Sequence, residues 1–136
     1  MSLSGALWTR LQAVTGVTDL VSTRIWPSKN DITKPTFPYV TWELVAAERP
    51  SAFGSDTGDV EASVRYHVWA ETTTAKTGYD SADDVIEAIR VALQRFRGTL
   101  DSTEIQDIFV DGQHTATEPA PNIHHHIIDF RVWYKE

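Results

Sequence analysis

The sequence has no cysteine among its 136 residues, which excludes disulfides, thiolate zinc sites, iron–sulfur clusters and cysteine nucleophiles. It also has no run of the roughly 20 apolar residues that a transmembrane helix needs. Residues 1–11 show no basic segment followed by an apolar stretch, so the sequence predicts no secretory signal. We therefore expect the chain to fold in the cytoplasm.

Basic residues are scarce, because 12 Lys and Arg stand against 19 Asp and Glu and give a net charge of −7. Since affinity for phosphates rests on Lys and Arg, this balance argues against a general nucleic-acid binder. Hydrophobic residues make up 41% of the chain, which is enough for one packed core. We expect residues 1–136 to form a single domain of ordinary size.

Catalytic motifs are also missing. The sequence contains no G-x-S-x-G nucleophile motif, no phosphate-binding P-loop and no G-x-G-x-x-G dinucleotide motif. Asp56, Gly58 and Asp59 resemble part of a calcium loop, but the full spacing and the terminal glutamate are absent. The sequence motifs therefore predict no catalytic, cofactor-binding or metal-binding residues and no cofactor.

Three consecutive histidines offer the one alternative to that prediction. In a strand, His124 and His126 point to one face and His125 to the other, so two of them could begin a zinc site. Such a site needs a third ligand, for which the candidates are His67, His114, Glu118 and Asp129. A small metal-dependent hydrolase or nuclease is therefore an alternative, although no spacing such as H-E-x-x-H supports it.

Hydrophobic periodicity predicts the order of the elements. An N-terminal helix carries a stripe of Leu7, Leu11 and Val14, and residues 73–97 show the strongest helical pattern, ended by Gly98. Alternation predicts strands at residues 37–47, 60–72, 104–110 and 123–135, the third running on through a bulge toward Thr117. The expected fold class is α+β, with a four-stranded, mainly antiparallel sheet and two main helices packed on one face, in the order α-β-β-α-β-β.

Tryptophan is unusually frequent, with five residues in the chain. Trp69 and Trp133 lie opposite the more apolar face of their own strands. They could pack under helices or loops, or they could belong to a second surface that is buried only on assembly, since tryptophan is enriched at the centres of interfaces. Both interpretations favour a surface that contacts protein over a catalytic cleft.

Several short motifs occur in a characteristic order. They are V-T-D-L-V at residues 17–21, R-I-W-P at 24–27, F-P-Y-V at 37–40, R-Y-H-V-W-A at 65–70 and D-F-R-V-W-Y at 129–134. Together, over residues 6–134, they resemble the tail-completion proteins of long-tailed bacteriophages and prophages, which are related to tail-terminator and tail-to-head joining proteins. The run of three histidines departs from the commoner pattern of the family.

The resemblance implies a structural assembly protein without catalytic residues. Such proteins are expected to form a ring, typically of six subunits, on the head-proximal end of the tail tube, where the ring stops tube growth and docks the head connector. The implied partners are further copies of the chain, the tail tube protein and the head connector or neck protein, with no membrane. DNA would pass through without specific binding, and an acidic subunit would repel its phosphates. The implied location is the host cytoplasm during assembly and the tail or neck of the finished virion.

A ring built by head-to-tail contacts needs two different patches on each subunit. The loops at residues 27–38 and 48–59 are long for a compact chain and are the candidate patches. The predicted interface residues are Trp26, Phe37, Phe53, Trp69 and Trp133. Another neck component, such as a head-closure protein or a minor tail subunit of similar fold, is the alternative within the same class.

Overall fold

The structure is a computed structural model that describes residues 3–27, 36–49, 51–52, 55–56, 58–100, 102–116, 118 and 120–135. Within these residues there are three helices, α1 (Leu3–Ala13), α2 (Thr15–Val21) and α3 (Gly78–Leu93). The strands are β1 (Ile25–Pro27), β2 (Tyr39–Glu48), β3 (Ser51–Ala52), β4 (Ser55–Asp56), β5 (Asp59–Glu71), β6 (Gly98–Leu100), β7 (Thr103–Ala116) and β8 (Ile123–Lys135). None of the helices described is long and apolar enough to cross a membrane.

Six of the strands form one sheet in the order β1-β2-β5-β8-β7-β6. The β1–β2 pair is parallel and the other pairs are antiparallel, so the sheet is mixed. The predicted four-stranded sheet with two main helices is therefore wrong. The two added strands, β1 and β6, have three residues each, which is too short for alternation to reveal them.

The central strands β5 and β8 pair over their whole length, from Asp59 opposite Lys135 to Glu71 opposite Ile123. In β5 every second residue from Val60 to Ala70 is buried, because that side of the sheet packs against the helices. We call this side the helix face and the opposite side the open face. The largest fully buried side chains include Phe130 and Ile128 of β8, Leu7 and Leu11 of α1, and Ile86 and Ile89 of α3.

Helix α3 begins close against the end of β8. Its cap is Thr77, whose side-chain oxygen accepts a hydrogen bond from the Asp80 amide at 3.2 Å. A Cβ atom at Gly78 would lie 2.6 Å from Cδ2 of His124, so only glycine fits this approach. Gly98 begins β6 and does not end the helix, since α3 stops at Leu93.

Three β-bulges, one in β2 and two in β7, change which residues share a face. One lies between Leu44 and Ala46 in β2, so these two side chains point to opposite faces, whereas strict alternation would place them on the same face. Another lies between Val110 and Gly112 and lets β7 continue to Ala116, as the bulge expected in the third strand predicted.

Candidate functional site

A row of rings crosses four neighbouring strands on the open face. It consists of Trp26 from β1, Tyr39 from β2, Trp69 from β5 and His125 from β8, which we call the aromatic row. The ring centroids are 5.9 Å apart for Trp26 and Tyr39, 6.0 Å for Tyr39 and Trp69, and 3.7 Å for Trp69 and His125. The register sets these contacts, because Tyr39 lies opposite Trp69 and Trp69 lies opposite His125. Phe37 extends the row, with its centroid 5.3 Å from that of Tyr39.

A chain of hydrogen bonds passes beside the aromatic row. Nδ1 of His67 lies 2.7 Å from Nε2 of His125, and we call these two residues the histidine pair. The outer nitrogens face carboxylates: Nε2 of His67 is 2.8 Å from Oε1 of Glu43, and Nδ1 of His125 is 2.9 Å from Oε1 of Glu118. The order along the chain is therefore Glu43, His67, His125, Glu118.

Proton counting constrains the charge of the histidine pair. With both carboxylates ionised, each outer nitrogen must carry a hydrogen in order to donate it, and the bond between the rings needs one more. Three N–H protons therefore satisfy all three bonds and leave one positive charge on the pair. A fourth proton would leave two N–H donors facing each other across the 2.7 Å between Nδ1 of His67 and Nε2 of His125, which is unfavourable.

Burial shifts the ionisation of two groups in the row in a direction that agrees with this count. Burial lowers the pKa of His125, the hydrogen bond to Glu118 opposes the shift, and the charge of His67 adds to it. This direction favours the neutral form of His125. Burial and the charge of Glu118 raise the pKa of Tyr39, so its hydroxyl stays protonated.

Ion pairs occupy the rest of the open face. Arg65 contacts Asp129 through two bonds, from Nε to Oδ1 at 2.7 Å and from Nη2 to Oδ2 at 3.2 Å. Arg131 lies between Glu61 at 3.1 Å and Asp111 at 3.5 Å. Alternating charges of both signs give this region a surface that is polar but nearly neutralised, unlike the aromatic row beside it.

The structure brings three of the predicted interface residues together. Trp26, Phe37 and Trp69 gather around Tyr39 on the open face. Trp133 is on the same face but lies opposite Glu61, near the other end of the sheet. Phe53 lies outside the described residues.

Sequence reasoning missed Tyr39, Glu43 and the histidine pair. Alternation did predict the three strands that carry these residues, at 37–47, 60–72 and 123–135. It could not predict the register between the strands, which brings these side chains together.

The three consecutive histidines divide between the two faces of the sheet. His126 is 3% exposed on the helix face, with Nδ1 3.0 Å from Oδ1 of Asp83 and its ring edge-to-face with Tyr79. Its Nε2 is the one buried side-chain polar atom without a hydrogen-bond partner among the described residues. His124 lies beside the start of α3, near Gly78.

This division separates the residues of the alternative metal site. His124 and His126 share a face, as predicted, but His67 contacts His125 on the opposite one. His114 is exposed on the open face, at the register position of Ile127. Within the described part of the chain, no group of three or more His, Asp or Glu side chains could hold a metal ion.

Comparison with known proteins matches the chain to a family model and to solved structures. The family model described as "Tail completion protein gp17" matches residues 5–135. Among solved structures, one chain of "Virion of native gene transfer agent (GTA) particle" aligns with a TM-score of 0.79 and 14% sequence identity, covering 99% of this chain and 96% of that chain. At this identity the likeness establishes the fold alone. No curated protein sequence matches.

Proposed function

The chain belongs to the tail completion protein gp17 family of bacteriophage structural proteins, and from this premise we propose that it forms a ring on the head-proximal end of the tail tube. There the ring ends tube growth and joins the tail to the head connector. Residues 1–136 act as one domain in this role. The role is structural and requires neither a catalytic residue nor a cofactor.

The observation that carries the proposal is the family match, because it spans residues 5–135 and leaves almost none of the chain unexplained. The shared fold with a chain from a gene transfer agent virion supports a place in a virion tail. The net charge of −7 fits a ring through which DNA slides without being held, since acidic walls repel phosphates. Assembly would take place in the host cytoplasm.

The aromatic row and its neighbours are the candidate contact surface for a partner protein. Trp26, Phe37 and Trp69 lie within one cluster around Tyr39, and clustered aromatic side chains are typical of the residues that dominate binding energy. Trp133 is a separate candidate on the same face. Phe53 stays a candidate in the 48–59 loop.

Electron microscopy of a deletion strain tests the function. Tails of uncontrolled length, or finished tails that are not attached to filled heads, are the expected result. Normal virions would contradict the proposal. Complementation with Trp69→Ala should restore fewer joined virions than the wild type does, whereas Trp8→Ala, which alters an exposed tryptophan on α1, is the matched control.

Partner binding separates this role from that of another neck or minor tail component. A purified chain that binds the end of isolated tail tubes and also the head connector fits the proposed joint. A chain that binds the connector alone would be a head-closure protein instead.

A further inference from the structure

The outer edge of β2 is largely unpaired. β1 pairs with β2 from Val40 to Trp42, and no described residue pairs with that edge from Glu43 to Glu48. The side chains of Leu44 and Val45 in this segment are 52% and 51% exposed. We call residues 43–48 the β2 edge.

The opposite side of the sheet has a second open edge. β6 pairs with β7 only from Thr103 to Ile105, and the Arg95 amide donates a hydrogen bond to the Ile108 carbonyl at 2.7 Å. From Phe109 to Ala116, no described residue pairs with the outer side of β7. We call residues 109–116 the β7 edge.

Neither edge carries a lysine or a proline, two of the residues that oppose pairing between molecules. The β2 edge reads Glu-Leu-Val-Ala-Ala-Glu and the β7 edge reads Phe-Val-Asp-Gly-Gln-His-Thr-Ala. Each edge contains a β-bulge and one or two carboxylates, so an added strand must pair with the stretches beside the bulge. A backbone edge of this kind can accept another strand.

The directions of the two edges suit each other. Three antiparallel pairings separate β2 from β7, so the two strands run in opposite directions. A rotation about an axis parallel to the strands preserves their direction in every copy. The β2 edge of one copy would therefore meet the β7 edge of the next in an antiparallel ladder.

We propose that the β2 edge of one copy pairs with the β7 edge of the next, which joins the sheets of neighbouring subunits into one continuous wall. This inference rests on the proposed ring and names the surfaces that build it. It places all helix faces on one side of the wall and all open faces on the other. The contact is head-to-tail, which is the type that closes into rings.

Charge favours this arrangement over a symmetric pairing of two β2 edges. In an antiparallel pair of two β2 edges centred on Val45 and Ala46, Glu43 of each copy would lie opposite Glu48 of the other. Like charges directly opposite each other destabilise such a pair. The β7 edge carries a single carboxylate, Asp111, which already contacts Arg131 at 3.5 Å. The β2 edge therefore meets less repulsion from β7 than from itself.

A groove of about 460 Å³ on the helix face reaches the β2 edge, where Trp42, Leu44 and Val64 contribute to its lining. The lining is mixed, because it also includes Ser4, Arg49, Ser102, Thr103 and Lys135. Side chains of a neighbouring β7 edge that point to the helix face would contact Leu44 at the outer side of this groove. Burial of Leu44 would then add hydrophobic free energy to the backbone hydrogen bonds.

Engineered cysteines test the pairing directly, because the chain has none of its own. Ala46 and His114 both point to the open face, as their partners Ser63 and Ile127 do. A deletion strain is complemented with Ala46→Cys, with His114→Cys or with the double variant. The tails are then purified, treated with a short bismaleimide cross-linker and analysed on a denaturing gel.

Only the double variant should give a ladder of cross-linked chains that ends at the ring size. A dimer from Ala46→Cys alone would overturn the proposal in favour of symmetric pairing. Joined tails that give no cross-link in the double variant would overturn it while leaving the proposed function intact. Normal virions in the deletion strain itself would instead contradict the proposed function.

A charge placed on the edge gives an independent test. Val45→Lys should lower the number of joined virions at least about tenfold, because the lysine opposes strand addition. Val91→Lys, at an apolar position of α3 that is 63% exposed, is the matched control and should leave assembly unchanged. Equal assembly by both variants, with normal melting temperatures, would overturn the proposal.

Discussion

The histidine pair makes the stability of this protein depend on pH, and His125→Gln is the perturbation that tests it. Burial lowers the pKa of His125 below its ordinary value near 6.5, and a further proton on the pair would break the 2.7 Å bond to His67. Folded protein therefore binds fewer protons than unfolded protein in the acidic range. Glutamine keeps a side chain that can form hydrogen bonds but removes the titration.

The sign and the upper limit of the effect follow from linkage. A lowered folded pKa contributes stability that is fully present above pH 6.5 and is lost as the pH falls toward the folded pKa. A difference of one bound proton changes the free energy of unfolding by at most about 1.4 kcal/mol per pH unit. The wild type should lose stability between pH 7 and pH 5 more steeply than His125→Gln does, by up to this slope.

Urea unfolding at half-unit steps from pH 7.5 to pH 5 measures both slopes. Because the two proteins differ only at residue 125, the difference between the slopes reports the loss of the His125 imidazole and of its bonds to His67 and Glu118. His114→Gln, which removes an exposed histidine on the same face, is the control and should retain the slope of the wild type. Equal slopes for the wild type and His125→Gln would refute the reasoning.

Three further predictions concern stability and are checked by urea unfolding at pH 7.5. Gly78→Ala should lower the free energy of unfolding by roughly 1–3 kcal/mol, because the added Cβ would overlap His124. Gly112→Ala is the control and should lower it much less, because its Cβ would meet nothing within 4 Å. Equal losses for the two variants would contradict the close approach at Gly78. Phe130→Ala, at a fully buried position, should cost about 3–5 kcal/mol, and a loss below about 1 kcal/mol would mean that β8 is not central to the core. Thr77→Ala should cost about 1 kcal/mol through loss of the α3 cap, and no loss would show that the cap lies elsewhere.

Local patterns in the sequence predicted several elements well, and particular residues show why. The alternation from Val60 to Ala70 reports a strand with one side buried, because a side chain in a strand faces either the core or the other side. The C-terminal strand was expected at the bounds that β8 has, Ile123–Lys135. The ordered short motifs led to the tail-completion family, which the family match confirms.

Other features depend on contacts between distant residues and carry no local pattern. β1 and β6 exist because neighbouring strands offer them backbone partners, and three residues cannot show a period. The bulge beside Val45 reversed the expected face of Ala46, since an extra residue shifts every later side chain in the strand. The cap at Thr77 is set by where α3 meets the sheet.

The sequence by itself determined the absence of thiol chemistry, the acidic charge, the alternation of sides along β5 and β8, and the family. Only the tertiary structure decided that His67 meets His125 and not His124 or His126, and that Trp26 and Trp69 gather around Tyr39. It also decided that no described residue pairs with the outer side of β2 at residues 43–48 or of β7 at residues 109–116. The physical reason is that periodicity records the environment of a residue along its own element. Strand order and register are instead set by the free energy of packing distant segments together.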